Sequence, residues 1–154
     1  MNVIVPGEIS NRVRGELEKA GSREIGGILL GEHTNENEFK ISEITIQKTG
    51  GGLAFFERIA RCVIEPLKRF FARTDYNYKR FNYLGEWHSH PSFSPYPSAV
   101  DHSTMQELIM DDEFGANFIV LMIVKLGLNG LDGTVTIYQC DKEPFLGNLI
   151  FSQD

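Results

Sequence analysis

Cysteine is scarce in this chain. Its two copies, Cys62 and Cys140, lie far apart and form no CxxC pair. That spacing excludes a disulfide framework and a thiolate zinc knuckle. Their apolar neighbours predict buried free thiols. Clustered positive charge is also lacking: the formal net charge is -6 and no Lys/Arg-rich run occurs. Nucleic acid is therefore not the expected ligand, because phosphate binding is driven chiefly by such clusters. No apolar run approaches the roughly 20 residues that span a bilayer. The opening MNVIVPGEIS has no charged stretch followed by a long apolar one, so no secretory signal is expected. These absences predict a cytoplasmic protein without a membrane partner.

The 154 residues suit one domain covering positions 1–154, with neither an internal repeat nor a dividing linker. Asn2 to Pro6 is a short apolar run, expected to be a first strand. Ile9, Val13, Leu17 and Ala20 recur at helical spacing, with Ser10 near the start and Gly21 at the stop. Ile25 to Gly31 and Phe39 to Gln47 read as paired strands. Gly50, Gly51 and Gly52 predict a mobile connection over 49–53. Helical spacing returns over Ile59 to Phe71, where Pro66 should kink the helix or mark its first turn. Tyr83 to His90 reads as a strand, Ser98 to Met110 as a helix, and Asn117 to Val124 as a continuous apolar strand. Asn129 to Gly133 reads as a turn and Thr134 to Gln139 as a last strand. Asp141 to Asp154 is left as a flap or an oligomer contact. Alternating strands and helices predict an α/β (α+β layered) fold with a single mixed β-sheet flanked by helices.

The chemistry concentrates in Gly85-Glu86-Trp87-His88-Ser89-His90-Pro91 and Pro97-Ser98-Ala99-Val100-Asp101. Histidines at i and i+2 on a strand share a face, so both imidazoles can reach one metal ion. Two imidazoles and the Asp101 carboxylate suit a catalytic zinc and leave a fourth position open for water. Pro91, Pro95 and Pro97 restrict the intervening loop and so limit where Asp101 can stand. Ser98-x-x-Asp101 also fits a capping box at a helix start, and both uses of the pair can hold together.

His88-x-His90, seven residues, Ser98, two residues and Asp101 match the motif of the JAMM (JAB, or MPN-plus) metalloprotease family at every position. Upstream, Glu24-Ile25-Gly26-Gly27-Ile28-Leu29-Leu30-Gly31 resembles the family's glutamate-bearing, glycine-rich strand. The resemblance extends over nearly the whole chain and is nearest to the compact prokaryotic JAB proteins. It implies a JAB/MPN fold, which is cytidine-deaminase-like. It also implies one Zn2+ per chain with a bound water, held by His88, His90 and Asp101. Glu24 would be the general base and Ser98 would hydrogen-bond the oxyanion. The implied substrate is the amide bond after the C-terminal tail of a ubiquitin-like protein or its conjugate, including within bacterial antiviral systems. That tail would add as a strand near the triple glycine.

Alternatives are a JAB peptidase of phage-tail or cell-wall type, a non-catalytic MPN scaffold, and a RadC-like protein. The acidic charge and the lack of a helix-hairpin-helix region count against the last. A nucleobase deaminase would need H-x-E and P-C-x-x-C segments, which are missing. Glu86 shares the strand face of His88, either as a partner to the site or as a rival base to Glu24. His102 should point away from Asp101's side, at the surface or as a partner to the site and not a ligand. His33 is expected in a solvated polar turn, and Asp111, Asp112 and Glu113 at a solvent-facing helix end. No oligomeric state follows from the sequence.

Overall fold

The computed structural model describes residues 1–47 and 53–153, with residues 53–62 described by their backbone alone. The expectations for the triple glycine and for Cys62 lie outside the described residues. In chain order the elements are β1 (Asn2–Val5), α1 (Gly7–Ala20), β2 (Gly26–Asn35), β3 (Glu38–Ile44), α2 (Leu53–Arg73), β4 (Phe81–Ser89), α3 (Ala99–Met110), β5 (Ile119–Gly127), β6 (Gly130–Tyr138), β7 (Phe145–Leu146) and β8 (Asn148–Phe151). All the strands belong to one mixed sheet in the order β7-β6-β5-β4-β2-β3-β1-β8. The mixed sheet flanked by helices is the architecture expected from the pattern.

The sheet's two faces have different covers. On one, Ile9, Val13, Leu17 and Ala20 of α1 pack with Val3, Leu29, Ile41, Trp87, Val120, Met122 and Val135. The 3.6-residue period of α1 meets the two-residue period of the strands there, and both sets of side chains leave water together. On the other face, α2 places Val63 and Phe70 on Ile28 and Leu30 of β2. Beside it, α3 places Met105 and Ile109 on Ile119, Leu121, Ile123 and Tyr138. Strand β4 lies between β2 and β5. Its outer face is therefore the floor of a cleft between α2 and α3.

Several boundaries differ from those expected. Ser10 does not cap α1: Pro6 holds the cap position, and the Ser10 hydroxyl donates back to the Gly7 carbonyl at 3.0 Å. Strand β2 runs on to Asn35, so His33 is a strand residue, exposed and stacked on Phe39 at 4.7 Å between ring centroids. Pro66 sits in the interior of a helix that begins well before Ile59. Strand β6 starts at Gly130, inside the expected turn, because the hairpin from β5 is tight, with Gly127 paired to Gly130.

The C-terminal segment is not a flap: it is built into the sheet. Phe145–Leu146 pairs with β6 at one end of the sheet, and Asn148–Phe151 pairs in parallel with β1 at the other. Between them, the Gly147 amide donates to Val135 at 2.9 Å and the Asn148 amide to Met1 at 3.0 Å. One short segment thus joins both ends of the sheet, which curls around α1. A Cβ at Gly147 would stand 2.4 Å from Ile137 Cδ1, so the closure passes through a position that admits no side chain without rearrangement.

Candidate metal centre

The centre forms where β4 ends. Outward-facing positions along this strand are Tyr83, Glu86 and His88, with His90 just beyond. A bulge at Leu84 lets Tyr83 and Glu86, three residues apart, share a face: Leu29 pairs with Gly85 but Leu30 pairs with Tyr83. Gly85, with φ of 150°, carries the chain through that bulge; a Cβ there would meet the Val120 carbonyl oxygen at 2.0 Å.

His88 and His90 turn their Nε2 atoms toward each other at 3.1 Å. Asp101, from the first turn of α3, stands with Oδ1 3.5 Å from His88 Nε2 and Oδ2 3.9 Å from His90 Nε2. A tetrahedral zinc with bonds of about 2.0–2.1 Å holds neighbouring donors about 3.3–3.4 Å apart. The His88–His90 and His88–Asp101 separations bracket that edge length, and among the described residues these three alone form a group of this kind. The donor set fits one ion.

The tautomer of His90 is also set for binding. Its Nδ1–H donates to the Ser94 carbonyl at 2.9 Å, which leaves the Nε2 lone pair free. Phe93 stacks on the same ring at 4.1 Å. Asp101 is oriented by its own helix start. Its Oδ2 accepts from the Ser98 amide at 2.7 Å and the Ser98 hydroxyl at 2.8 Å, and its amide donates to Ser98 Oγ at 3.1 Å. The capping box is therefore complete, and Oδ1 is the oxygen left to face His88. Burial would raise the Asp101 pKa. The hydrogen bond and charge of His88 and the bonds from Ser98 outweigh it and hold the carboxyl well below the usual carboxylate range.

Glu24 is exposed and immediately precedes Ile25, whose carbonyl accepts from the Ser89 amide at 2.8 Å. Glu24 lies just before β2, whose first residue, Gly26, pairs with His88, so the chain enters the sheet beside the centre. Glu86 is buried, with 4% of its surface exposed, and the Tyr83 hydroxyl lies 3.5 Å from its Oε1. Burial pushes its carboxyl up to about 8, with the Tyr83 hydrogen bond offsetting only part of that shift.

Three contacts escaped the linear reading, two of them because they join distant parts of the chain. The Thr134 hydroxyl donates to the Pro95 carbonyl of the ligand loop. The Tyr138 hydroxyl and His102 Nδ1 share a hydrogen bond of 2.9 Å. The third is the Ser94 carbonyl on His90. His102 is thus held against the sheet rather than lying free on the surface. Cys140 is exposed, contrary to expectation, because β6 ends at Tyr138 and the cysteine falls in the turn beyond it.

A mixed sheet wrapped on one helix, with a His-His-Asp donor set at the carboxyl end of a central strand, defines a class of metal-centre proteins. The model for prokaryotic homologs of the JAB domain matches residues 8–137, and the chain belongs to that family. A CD-NTase/cGAS isopeptidase of Enterobacter hormaechei subsp. hoffmannii (strain UCI 50) is 28% identical over 125 residues, covering 79% of this chain and 66% of that protein. A CD-NTase/cGAS isopeptidase of Vibrio cholerae serotype O1 (strain ATCC 39315 / El Tor Inaba N16961) is 52% identical over 31 residues, 20% of each chain. The chain thus matches less than two thirds of the length of these curated relatives. The solution structure of protein DSY2949 from Desulfitobacterium hafniense shares the fold, with a TM-score of 0.62, 12% identity, and coverage of 99% of this chain and 94% of that one. Among the described residues no helix is long and apolar enough to cross a membrane.

Proposed function

We propose that this chain is a zinc-dependent isopeptidase or peptidase that hydrolyses the amide bond after the C-terminal tail of a ubiquitin-like protein. The reaction would be deconjugation or precursor processing in a bacterial antiviral system. The observation that carries the reading is the donor geometry: His88 Nε2 stands 3.1 Å from His90 Nε2 and 3.5 Å from Asp101 Oδ1, separations suited to neighbouring donors on a tetrahedral ion. The two relatives named as isopeptidases support the choice of bond.

Zinc, when bound, lowers the pKa of water from 15.7 to about 7 and polarises the scissile carbonyl. The remaining tasks fall to the chain. Glu24 takes the proton of the attacking water and passes it to the leaving amine; its exposure and its place two residues before Gly26, the partner of His88, suit that role. Glu86 is the poorer base, because it is buried under the strand face with the Tyr83 hydroxyl beside it. Ser98 donates to the developing oxyanion once its single proton leaves Asp101 Oδ2, since a hydroxyl cannot serve both acceptors. The exposed Phe93, Tyr96 and Val100 give the rim an apolar surface for an extended tail.

The test uses ubiquitin-like proteins fused at their C-termini to a reporter. Zinc-loaded protein should release the reporter, chelator should stop release, and Glu24→Ala should retain zinc while losing about 100-fold or more in kcat. Intact fusions across several ubiquitin-like proteins would overturn the substrate reading. Near-native turnover in Glu24→Ala would pass the role of base to Glu86.

A further inference from the structure

The histidines and the aspartate of the centre come from different elements. His88 is fixed by the ladder of β4 and His90, just beyond it, by its amide on the Val124 carbonyl, whereas Asp101 rides on α3. The capping box ties Asp101 to its own helix and not to the sheet. Farther along, Met105 and Ile109 dock α3 by apolar contact, which is non-directional and tolerates sliding. The relative position of the three ligands therefore needs a directional link between the first turn of α3 and the sheet.

Strand β6 supplies it from one face. Thr134 lies in the same sheet row as Ile123 and His88 and holds the ligand loop through Pro95. Tyr138, four residues on, is buried and holds His102, the neighbour of Asp101, at 2.9 Å. We propose that Tyr138, acting through His102, is a positioning residue that sets where Asp101 stands relative to His88 and His90. The inference rests on the metal-centre reading above and deepens it by naming what tunes the ion's affinity.

Zinc titration against a competing chelator, together with the visible spectrum of the cobalt-substituted protein, tests it. Tyr138→Phe removes the hydroxyl and keeps the ring. It should bind zinc about tenfold more weakly and shift the cobalt bands, an effect of the size seen for partners of metal ligands. His102→Ala should do the same, and the double variant should be no weaker than either single one. His102→Asn, whose amide can stand in place of Nδ1, should restore affinity to within about twofold. Unchanged affinity and spectrum in both Tyr138→Phe and His102→Ala, or additive losses in the double variant, would overturn the proposal. If Tyr138→Phe does not fold, His102→Ala decides, because it leaves the core ring in place. A wild-type protein that binds no zinc would instead sink the metal-centre reading itself.

Discussion

The candidate donors His88 and His90 were legible at the residue scale because they lie close in sequence and obey one simple rule, strand alternation. Glu86 was legible only in part. Alternation places it on the His88 face, but counting back by twos pairs it with Leu84 and puts Tyr83 on the opposite side. The bulge at Leu84 reverses that, and a one-residue bulge leaves little trace in a sequence beyond a glycine such as Gly85. The buried Glu86–Tyr83 pair has a consequence for stability. A carboxyl near 4.5 when unfolded and about 8 when folded keeps its proton in the native state while the unfolded chain ionises. The native state then binds more protons between those values, so stability falls as pH rises from about 4.5 to 8. Glu86→Gln lacks this titration. In chelator, its unfolding free energy should rise relative to wild type as pH goes from 5 to 8, by an amount on the order of 1–3 kcal/mol, read from denaturant melts. A constant offset across that range would show that Glu86 ionises normally.

At the element scale, strands with continuous apolar runs and the helix with a clean 3.6-residue period were read correctly in kind. The errors fell where glycine and proline carry two meanings. Gly130 and Gly133 look like turn residues, yet Gly133 lies within β6 because a Cβ there would approach the Ile123 carbonyl oxygen at 2.6 Å. Close approach, and not a turn, is the reason for that glycine. Pro66 reads as a kink or a first turn, and lies deep inside α2, where it leaves one backbone carbonyl without its donor. Pro66→Ala should therefore stabilise the protein by about 1–3 kcal/mol, seen as a higher denaturant midpoint with an unchanged slope. A lower midpoint would mean that the ring's own packing outweighs the missing hydrogen bond.

On the scale of the whole molecule, the sequence pattern conveyed layers but not closure. Nothing local in Phe145 to Phe151 says that one half pairs with residues 136–137 and the other with the first strand; both pairings are long-range. The Tyr138–His102 contact was hidden for the same reason, with 36 residues between its partners. Ending the chain after residue 144 would expose both ends of the sheet and uncover Leu149 and Phe151, which pack on the main core. Such a variant should lose more than about 4 kcal/mol or fail to fold. A truncated protein with native-like thermal unfolding would show the segment to be dispensable.

The closure also fixes how the molecule would bear load. Strands β1 and β8 are parallel neighbours, with Asn2 beside Asn148 and Val5 beside Phe151. Tension applied between the chain ends pulls β1 backward and β8 forward along their shared axis. The hydrogen bonds of that ladder are then strained together in shear and cannot open one at a time like a zipper. The pairing of β8 with β1 thus makes this edge of the sheet its mechanically resistant part.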